Sequence, residues 1–263
     1  VIDSTPAGNK NKELHYSGLD GPVGFLAQGS EYGFGKMYAR GINDEALVRG
    51  EDRFLHVVSC NTHNISVLVK AIAFEDGRSH LVDGRFVCMR RANDISQDGS
   101  FSPSPTVGRH DNPRFGTHHA RDAHGVFATL GHDLPLWSSA IVLNTQYMHV
   151  LHFSLTLDHE ITPEEVVARL AANSRVALTR KRSANQVFSF GRDHGYFGRI
   201  LSQTVVPTQT IGVRDGHTVV GFCFTPQDGN ALLSSVAATL WYLYPEGFED
   251  RIDVLRPYLF REV

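Results

Sequence analysis

The sequence predicts an α/β chain centred on a mixed, largely antiparallel sheet with helices on one face. Three observations carry that reading. From Tyr147, strict alternation sets His149, Leu151, Phe153, Leu155 and Leu157 on one face and Met148, Val150, His152, Ser154 and Thr156 on the other, the period of a strand. Asp215-Gly216 between two apolar runs signals a hairpin. Helical patterns frame these strands, at Thr162-Pro163-Glu164-Glu165 and twice near the end of the chain. A strand-rich middle with few helices suits a mixed or antiparallel sheet.

Taken in order, Val1-Ile2-Asp3 reads as a strand end that meets the Ser4-Thr5-Pro6-Ala7-Gly8 loop, so the chain is expected to begin inside a domain. Asn9 to Tyr16 reads as a short helix closed at Ser17-Gly18, and Gly24 to Gln28 as a short apolar strand. Phe34 to Val48 has a weak helical pattern broken by Gly41, and Phe54 to Val58 is a brief β-branched strand. Ile65 to Phe74 is ambiguous, since its β-branched residues favour a strand while Ile65, Leu68 and Ile72 have helical spacing. Its length and a cap at Asn61 or Thr62 favour the helix. Phe86 to Arg90 reads as a strand. Ser96 to Thr117, rich in Ser, Thr, Pro and Gly, reads as a long loop without periodicity, either functional or mobile. Ala140 to Leu157 is the clearest strand region. The Thr162 cap opens a helix with a Val166, Val167, Leu170 and Ala171 stripe. Ile200 to Val213, broken at Pro207, and His217 to Phe224 form the hairpin, and helices over Asn230 to Leu243 and Glu246 to Leu259 close the chain.

Composition narrows the function. Of 263 residues, 41% are hydrophobic, enough for a full core, which argues against wholesale disorder. With 25 Lys+Arg against 28 Asp+Glu, a dominant basic face for nucleic acid is not expected, although a local anion site is compatible. The apolar stretch from Ala231 to Tyr244 is short and interrupted by Ser234, Ser235 and Thr239, so no membrane span is expected from it. The 3 cysteines, Cys60, Cys88 and Cys223, make no disulfide framework and no zinc spacing, which fits a reducing compartment.

Ser59-Cys60-Asn61-Thr62 lies where a strand hands over to the expected helix. A helix N-terminus lowers a thiol's pKa and offers backbone N–H groups to an oxyanion, a setting for a nucleophile. A buried structural cysteine is the competing reading, and it is the one given to Cys88 and Cys223 inside strands. His149, on the apolar stripe, is either the base that activates Cys60 or a satisfied core histidine; His152 faces the other way. His118-His119-Ala120-Arg121-Asp122 suits a phosphoryl group or, with His124, a metal, or is a polar loop. Arg90-Arg91 is either an anion site or surface.

Together these pieces resemble the type II, archaeal-type glyceraldehyde-3-phosphate dehydrogenases, in order and over nearly the whole chain. Val57-Val58-Ser59-Cys60-Asn61-Thr62 is similar to that family's nucleophile motif V-V-S-C-N-T, the most specific match. Asp3-Ser4-Thr5-Pro6 with Lys10-Asn11-Lys12 resembles D-x-T-P…K-N-K, and Gln28-Gly29-Ser30-Glu31 resembles Q-G-G-E. Arg90-Arg91-Ala92, His118-His119-Ala120-Arg121-Asp122, Asn144-Thr145-Gln146-Tyr147-Met148-His149-Val150 and Gln227-Asp228 resemble R-R-A, H-H-x-x-D, P-T-T-L-M-H-V and the H-Q-E step.

The resemblance implies a phosphorylating aldehyde dehydrogenase of glycolysis, using NAD or NADP and acting on a small phosphorylated aldehyde and inorganic phosphate. It implies a cytoplasmic homotetramer with no nucleic-acid or membrane partner. Cys60 would attack the aldehyde and His149 would serve as base and stabilise the thiolate. Ser59 and Asn61 would hold the carbonyl oxygen, while Arg91, His118, His119 and Thr145 would hold substrate and phosphate. Gly29, Arg90, Arg91 and Gln227 would touch the cofactor. Residues 1–59 would be the remnant of a Rossmann-like nucleotide-binding domain, 60–226 the catalytic domain, and 227–263 helices packing back on the nucleotide-binding part.

Departures are visible too. No G-x-G-x-x-G opens a βαβ unit, Leu151 stands where the family's M-H-x-H has its second His, and Pro226 stands at the His of H-Q-E. This stretch of chain alone is therefore expected to hold NAD(P) weakly or not at all. A non-catalytic relative acting as a binding or assembly module, and a metal-dependent hydrolase using His118, His119, Asp122 and His124, are the alternatives.

Overall fold

Short, mostly apolar strands suit a sheet that is covered on both faces, and Phe25–Gly29 and Phe54–Val58 at the centre of the first sheet are of that kind. The computed structural model describes residues 1–93 and 102–263. The chain runs β1 (Ile2–Asp3), α1 (Gly8–Asn11, continued by a π-turn over Lys12–Tyr16), β2 (Phe25–Gly29), β3 (Lys36–Tyr38), β4 (Phe54–Val58), α2 (Cys60–Ala73), β5 (Phe74–Glu75), β6 (Arg78–Ser79), β7 (Leu81–Arg90), β8 (Thr106–Val107), α3 (His118–Ala128), β9 (Leu136–Val142), β10 (His149–Leu157), α4 (Pro163–Ala172), β11 (Val176–Thr179), α5 (Ala184–His194), β12 (Thr204–Pro207), β13 (Gly212–Arg214), β14 (Thr218–Thr225), α6 (Asn230–Leu243) and α7 (Phe248–Ile252). Strands β1, β2, β4 and β3 form a parallel sheet in that order. One face packs Leu26, Leu55 and Val57 on Leu233, Ala237 and Trp241 of α6, and on the other Phe25, Ala27 and Phe34 meet Tyr16 and Phe54.

The second sheet has the order β11-β12-β14-β10-β7-β9-β8, with β13 paired to β14. It is mixed: β11–β12 and β7–β9 are parallel, and the remaining pairings are antiparallel. In β10 the expected alternation holds, with His149, Leu151, Phe153, Leu155 and Leu157 buried. Leu151, Phe153, Leu155 and Leu157 share a core with Leu68 and Ile72 of α2, Val126 and Phe127 of α3, and Val166 and Leu170 of α4, so these helices lie on one face. On the other face Val87 and Phe222 are exposed, and His152 packs edge-on to Phe222. The α/β expectation, a parallel Rossmann-like part beside a mixed sheet, thus describes the architecture.

Local signals placed many elements. The Thr162 hydroxyl accepts from the Glu165 N–H and the Glu165 carboxylate accepts from the Thr162 N–H, a reciprocal cap that fixes the start of α4. Asp215 and Gly216 both have positive φ, 52° and 72°, in the short loop between the paired Arg214 and Thr218, so a hairpin forms where the dipeptide signals one.

Other expectations need correction. Phe34 to Val48 is not helical: it holds β3 and a 3-10 turn over Asp44–Ala46. At Gly35 an added Cβ would lie 2.0 Å from the Phe54 carbonyl oxygen, so only glycine lets the chain run this close to β4. The helix expected at Ile65 starts at Cys60 and is capped by Ser59, not Asn61 or Thr62. The strand region Ala140 to Leu157 is two strands, β9 and β10, and Glu246 to Leu259 is α7 followed by a 3-10 stretch. Helices α3 and α5 and strand β11 carried no clear signal. Part of the expected Ser96 to Thr117 loop lies outside the described residues; the rest includes β8. Among the described residues no helix is long and apolar enough to cross a membrane.

Candidate active site

Strand β4 delivers the chain to Ser59, and α2 begins at the next residue. The Ser59 Oγ accepts from the Thr62 N–H at 3.4 Å and meets the Thr62 Oγ1 at 2.9 Å, closing the helix end. Cys60 is thus the first residue of a 14-residue helix, where the helix dipole stabilises an anion. The turn is braced from behind. The His63 Nδ1–H donates to the Ser59 carbonyl at 3.0 Å, and its Nε2 meets the Ser234 Oγ of α6 at 2.7 Å. The Asn230 amide, at the start of α6, donates to the Cys60 carbonyl at 2.9 Å.

Cys60 is half-buried and opens on a cleft of ≈ 890 Å³. Ser59, Asn61, Gly29, Arg90, Arg91, His118, His119, His149 and Gln227 line the same cleft. Thr145 does not; it is exposed, and its carbonyl accepts from the Ala92 N–H at 2.8 Å. Sequence reasoning missed Phe188, Phe197, Arg199 and Asp228, which also line it. Only Asp228, next to Gln227, had a nearby motif to signal it.

His149 is held from two sides. Its Nδ1 accepts the Arg91 backbone N–H at 2.9 Å, and its own backbone N–H donates to the Gln227 Oε1 at 2.7 Å. Burial, then the positive charges of Arg91 and Arg90, push its pKa down to about 3. The ring is therefore neutral and carries its proton on Nε2. That arrangement makes it a hydrogen-bond donor to the cleft rather than an acceptor of the thiol proton.

His119, at the start of α3, is fixed by a chain of polar contacts. Its Nε2 meets the Asn61 amide at 3.4 Å and its Nδ1 meets the Thr117 Oγ1 at 3.0 Å, which in turn meets the Ser138 Oγ at 2.6 Å. Burial and the nearby His118, Arg90 and His149 hold its pKa well below the ordinary value. Arg91 is buried and pairs with Asp228 at 3.4 Å, while Arg90 and Arg199 stay exposed at the rim. The cleft is thus lined by three guanidinium groups against one carboxylate, a setting for an anionic ligand. Cys88 and Cys223 are fully buried away from it; burial raises both thiols, that of Cys223 to about 12.

The metal alternative finds no support in geometry. Among the described residues, His118, His119, Asp122 and His124 do not gather their donor atoms at one point. His124 instead pairs with Asp133 at 2.7 Å, and Asp122 with Arg121 at 2.8 Å.

The buried histidines make stability depend on pH. His63 is pushed to about 4 by burial, and His149 to about 3. An unfolded imidazole takes up its proton near 6.5, so between 6.5 and 4 the unfolded chain binds more protons than the native one. Their contribution is complete above about pH 6.5 and is lost as pH falls toward 4. Urea unfolding at pH 5.0 is expected to show about 2 kcal/mol less stability per histidine than at pH 7.5. Equal midpoints at the two values would show that these rings protonate freely in the native state.

No protein-family profile matches the chain. It is similar to the glyceraldehyde-3-phosphate dehydrogenase of Metallosphaera sedula, 27% identical over 229 residues, covering 81% of this chain and 61% of that protein. To the enzyme of the same name from Methanococcoides burtonii it is 29% identical over 227 residues, covering 82% and 62%. For that of Aeropyrum pernix the figures are 26% over 253 residues, 90% and 67%. The chain spans less than two thirds of the first two proteins. Over the part that it shares with them, the chain is a relative of the archaeal glyceraldehyde-3-phosphate dehydrogenases.

Proposed function

We propose that this chain carries the catalytic site of a phosphorylating aldehyde dehydrogenase, with Cys60 as nucleophile and a small phosphorylated aldehyde as substrate. The supporting observation is convergence: a cysteine at a helix N-terminus, a donor-oriented histidine and a cluster of arginines open on one cleft.

The Cys60 thiolate adds to the aldehyde carbon. A C–S bond forms and the carbonyl π pair moves to oxygen. The N–H groups at the start of α2 and the His149 Nε2–H hold that oxygen as an alkoxide, so no proton has to reach it. A nicotinamide cofactor, when bound, would supply the acceptor for the hydride on this carbon, and loss of that hydride would let the alkoxide pair close to the thioester C=O. Hydrogen phosphate, held by Arg90, Arg91 and Arg199, then attacks the thioester carbon. The C–S bond breaks, the thiolate returns, and the proton of the phosphate passes to solvent.

The residues fit the nicotinamide end of such a cofactor. Gly29 lies at the carboxyl end of β2 with φ 85°, and a Cβ there would meet no atom within 4 Å, so the backbone faces open space. Gly29, Arg90 and the Gln227 amide would hold it.

Limiting iodoacetamide tests the assignment. Cys60 is expected to be alkylated well before Cys88 and Cys223, and glyceraldehyde 3-phosphate is expected to slow its alkylation. Mass-spectrometric mapping that finds another cysteine first, or no protection, favours the binding or assembly relative.

A further inference from the structure

We propose that His80, Asp158 and His159 form a binding site for a divalent transition metal of the zinc class, at the end of the second sheet remote from the cleft. His80 immediately precedes β7, and Asp158 and His159 immediately follow β10. The His80 Nδ1 lies 2.8 Å and the His159 Nδ1 3.0 Å from the same oxygen, Asp158 Oδ1. One donor atom from each residue falls within 4.8 Å of the others, and no other such group of His, Cys, Asp or Glu occurs among the described residues. Tetrahedral zinc with bonds near 2.1 Å sets its ligand atoms roughly 3.3 Å apart. Two of the three spacings are already close to that, so binding asks for a small movement of side chains only.

The frame beneath is rigid. The Asp158 N–H donates to the His80 carbonyl at 3.0 Å, Leu157 N–H to His217 at 3.0 Å, and Ile161 N–H to Gly216 at 2.8 Å, so three strands fix the backbone of the site. The two imidazole rings stand nearly perpendicular, at 89°. All three side chains keep contact with solvent, Asp158 most of all, which leaves positions for water on the ion. Two imidazoles and one carboxylate are a donor set suited to Zn²⁺, Ni²⁺ or Cu²⁺ rather than Mg²⁺ or Ca²⁺. Both imidazoles bind as neutral ligands, the ring proton sitting on Nε2. Asp158 lies nine residues along the chain from His149, about 30 Å at strand spacing, so the ion would staple β7 to β10 without entering the cleft.

Titration with Zn²⁺ at neutral pH, read by calorimetry and thermal unfolding, tests this. Saturable binding and a raised melting temperature are expected, with Co²⁺ giving visible d–d bands free of thiolate charge transfer. Asp158→Asn, close in shape and partly exposed, is expected to weaken binding by at least about tenfold, and His80→Gln likewise. Cys60→Ser is expected to leave it unchanged. No saturable binding, binding that survives Asp158→Asn and His80→Gln, or binding lost only with Cys60→Ser would overturn the proposal and leave a hydrogen-bonded triad.

Discussion

Cys60→Ser is expected to lower turnover of the aldehyde by about 10⁴-fold or more, the scale seen when a covalent nucleophile is removed. A serine hydroxyl at this position remains protonated at neutral pH, so it is a far weaker nucleophile than a thiolate. His149, the neighbour in the cleft, has its Nδ1 engaged by Arg91 and its proton on Nε2. The helix end should tolerate the change, because its cap comes from Ser59 and its brace from Asn230 to the Cys60 carbonyl, neither of which uses the thiol. Steady-state assay with glyceraldehyde 3-phosphate, phosphate and NAD(P), alongside a melting curve, checks both halves. A folded variant that keeps a tenth of the activity excludes covalent chemistry at this residue.

His149→Gln is expected to lower turnover about 10²- to 10³-fold, the cost of removing one donor from a developing oxyanion. The pH profile separates donor from base. With its pKa near 3, His149 stays neutral across the working range, so the rate should show no inflection near 6.5 that belongs to it. Wild type and variant are expected to give parallel profiles. An inflection near neutrality that disappears in the variant would restore the role of base.

Much of this architecture was legible in local pattern because local physics decides it. The alternation of β10, the Asp215-Gly216 turn and the Thr162 cap each report a geometry fixed within a few residues. The start of α2 was obscured for the opposite reason. Asn61, Thr62, His63 and Asn64 look like a surface segment, yet all four are buried; Thr62 meets Ser59, while Asn61, His63 and Asn64 pair with His119, Ser234 and Thr225, distant in sequence. Gly35 lies inside a weak helical pattern, whereas it is placed by a close approach to Phe54 that no local pattern encodes. Most of the candidate site was read from motif order, but Phe197 and Arg199 reach the cleft through a turn that local sequence does not predict. Thr145 shows the converse, a motif position that the loop turns outward.

The amide of Asn230 that steadies the Cys60 carbonyl comes from 170 positions further along the chain. During synthesis a ribosome adds roughly 5 to 20 residues per second. The turn bearing the thiol therefore leaves the exit tunnel many seconds before α6 exists to brace it. In the nascent chain, the first turn of α2 must wait for Asn230 to reach the Cys60 carbonyl and for Ser234 to reach the His63 ring. The Cys60 thiol is made well before the helix that sets its turn in place.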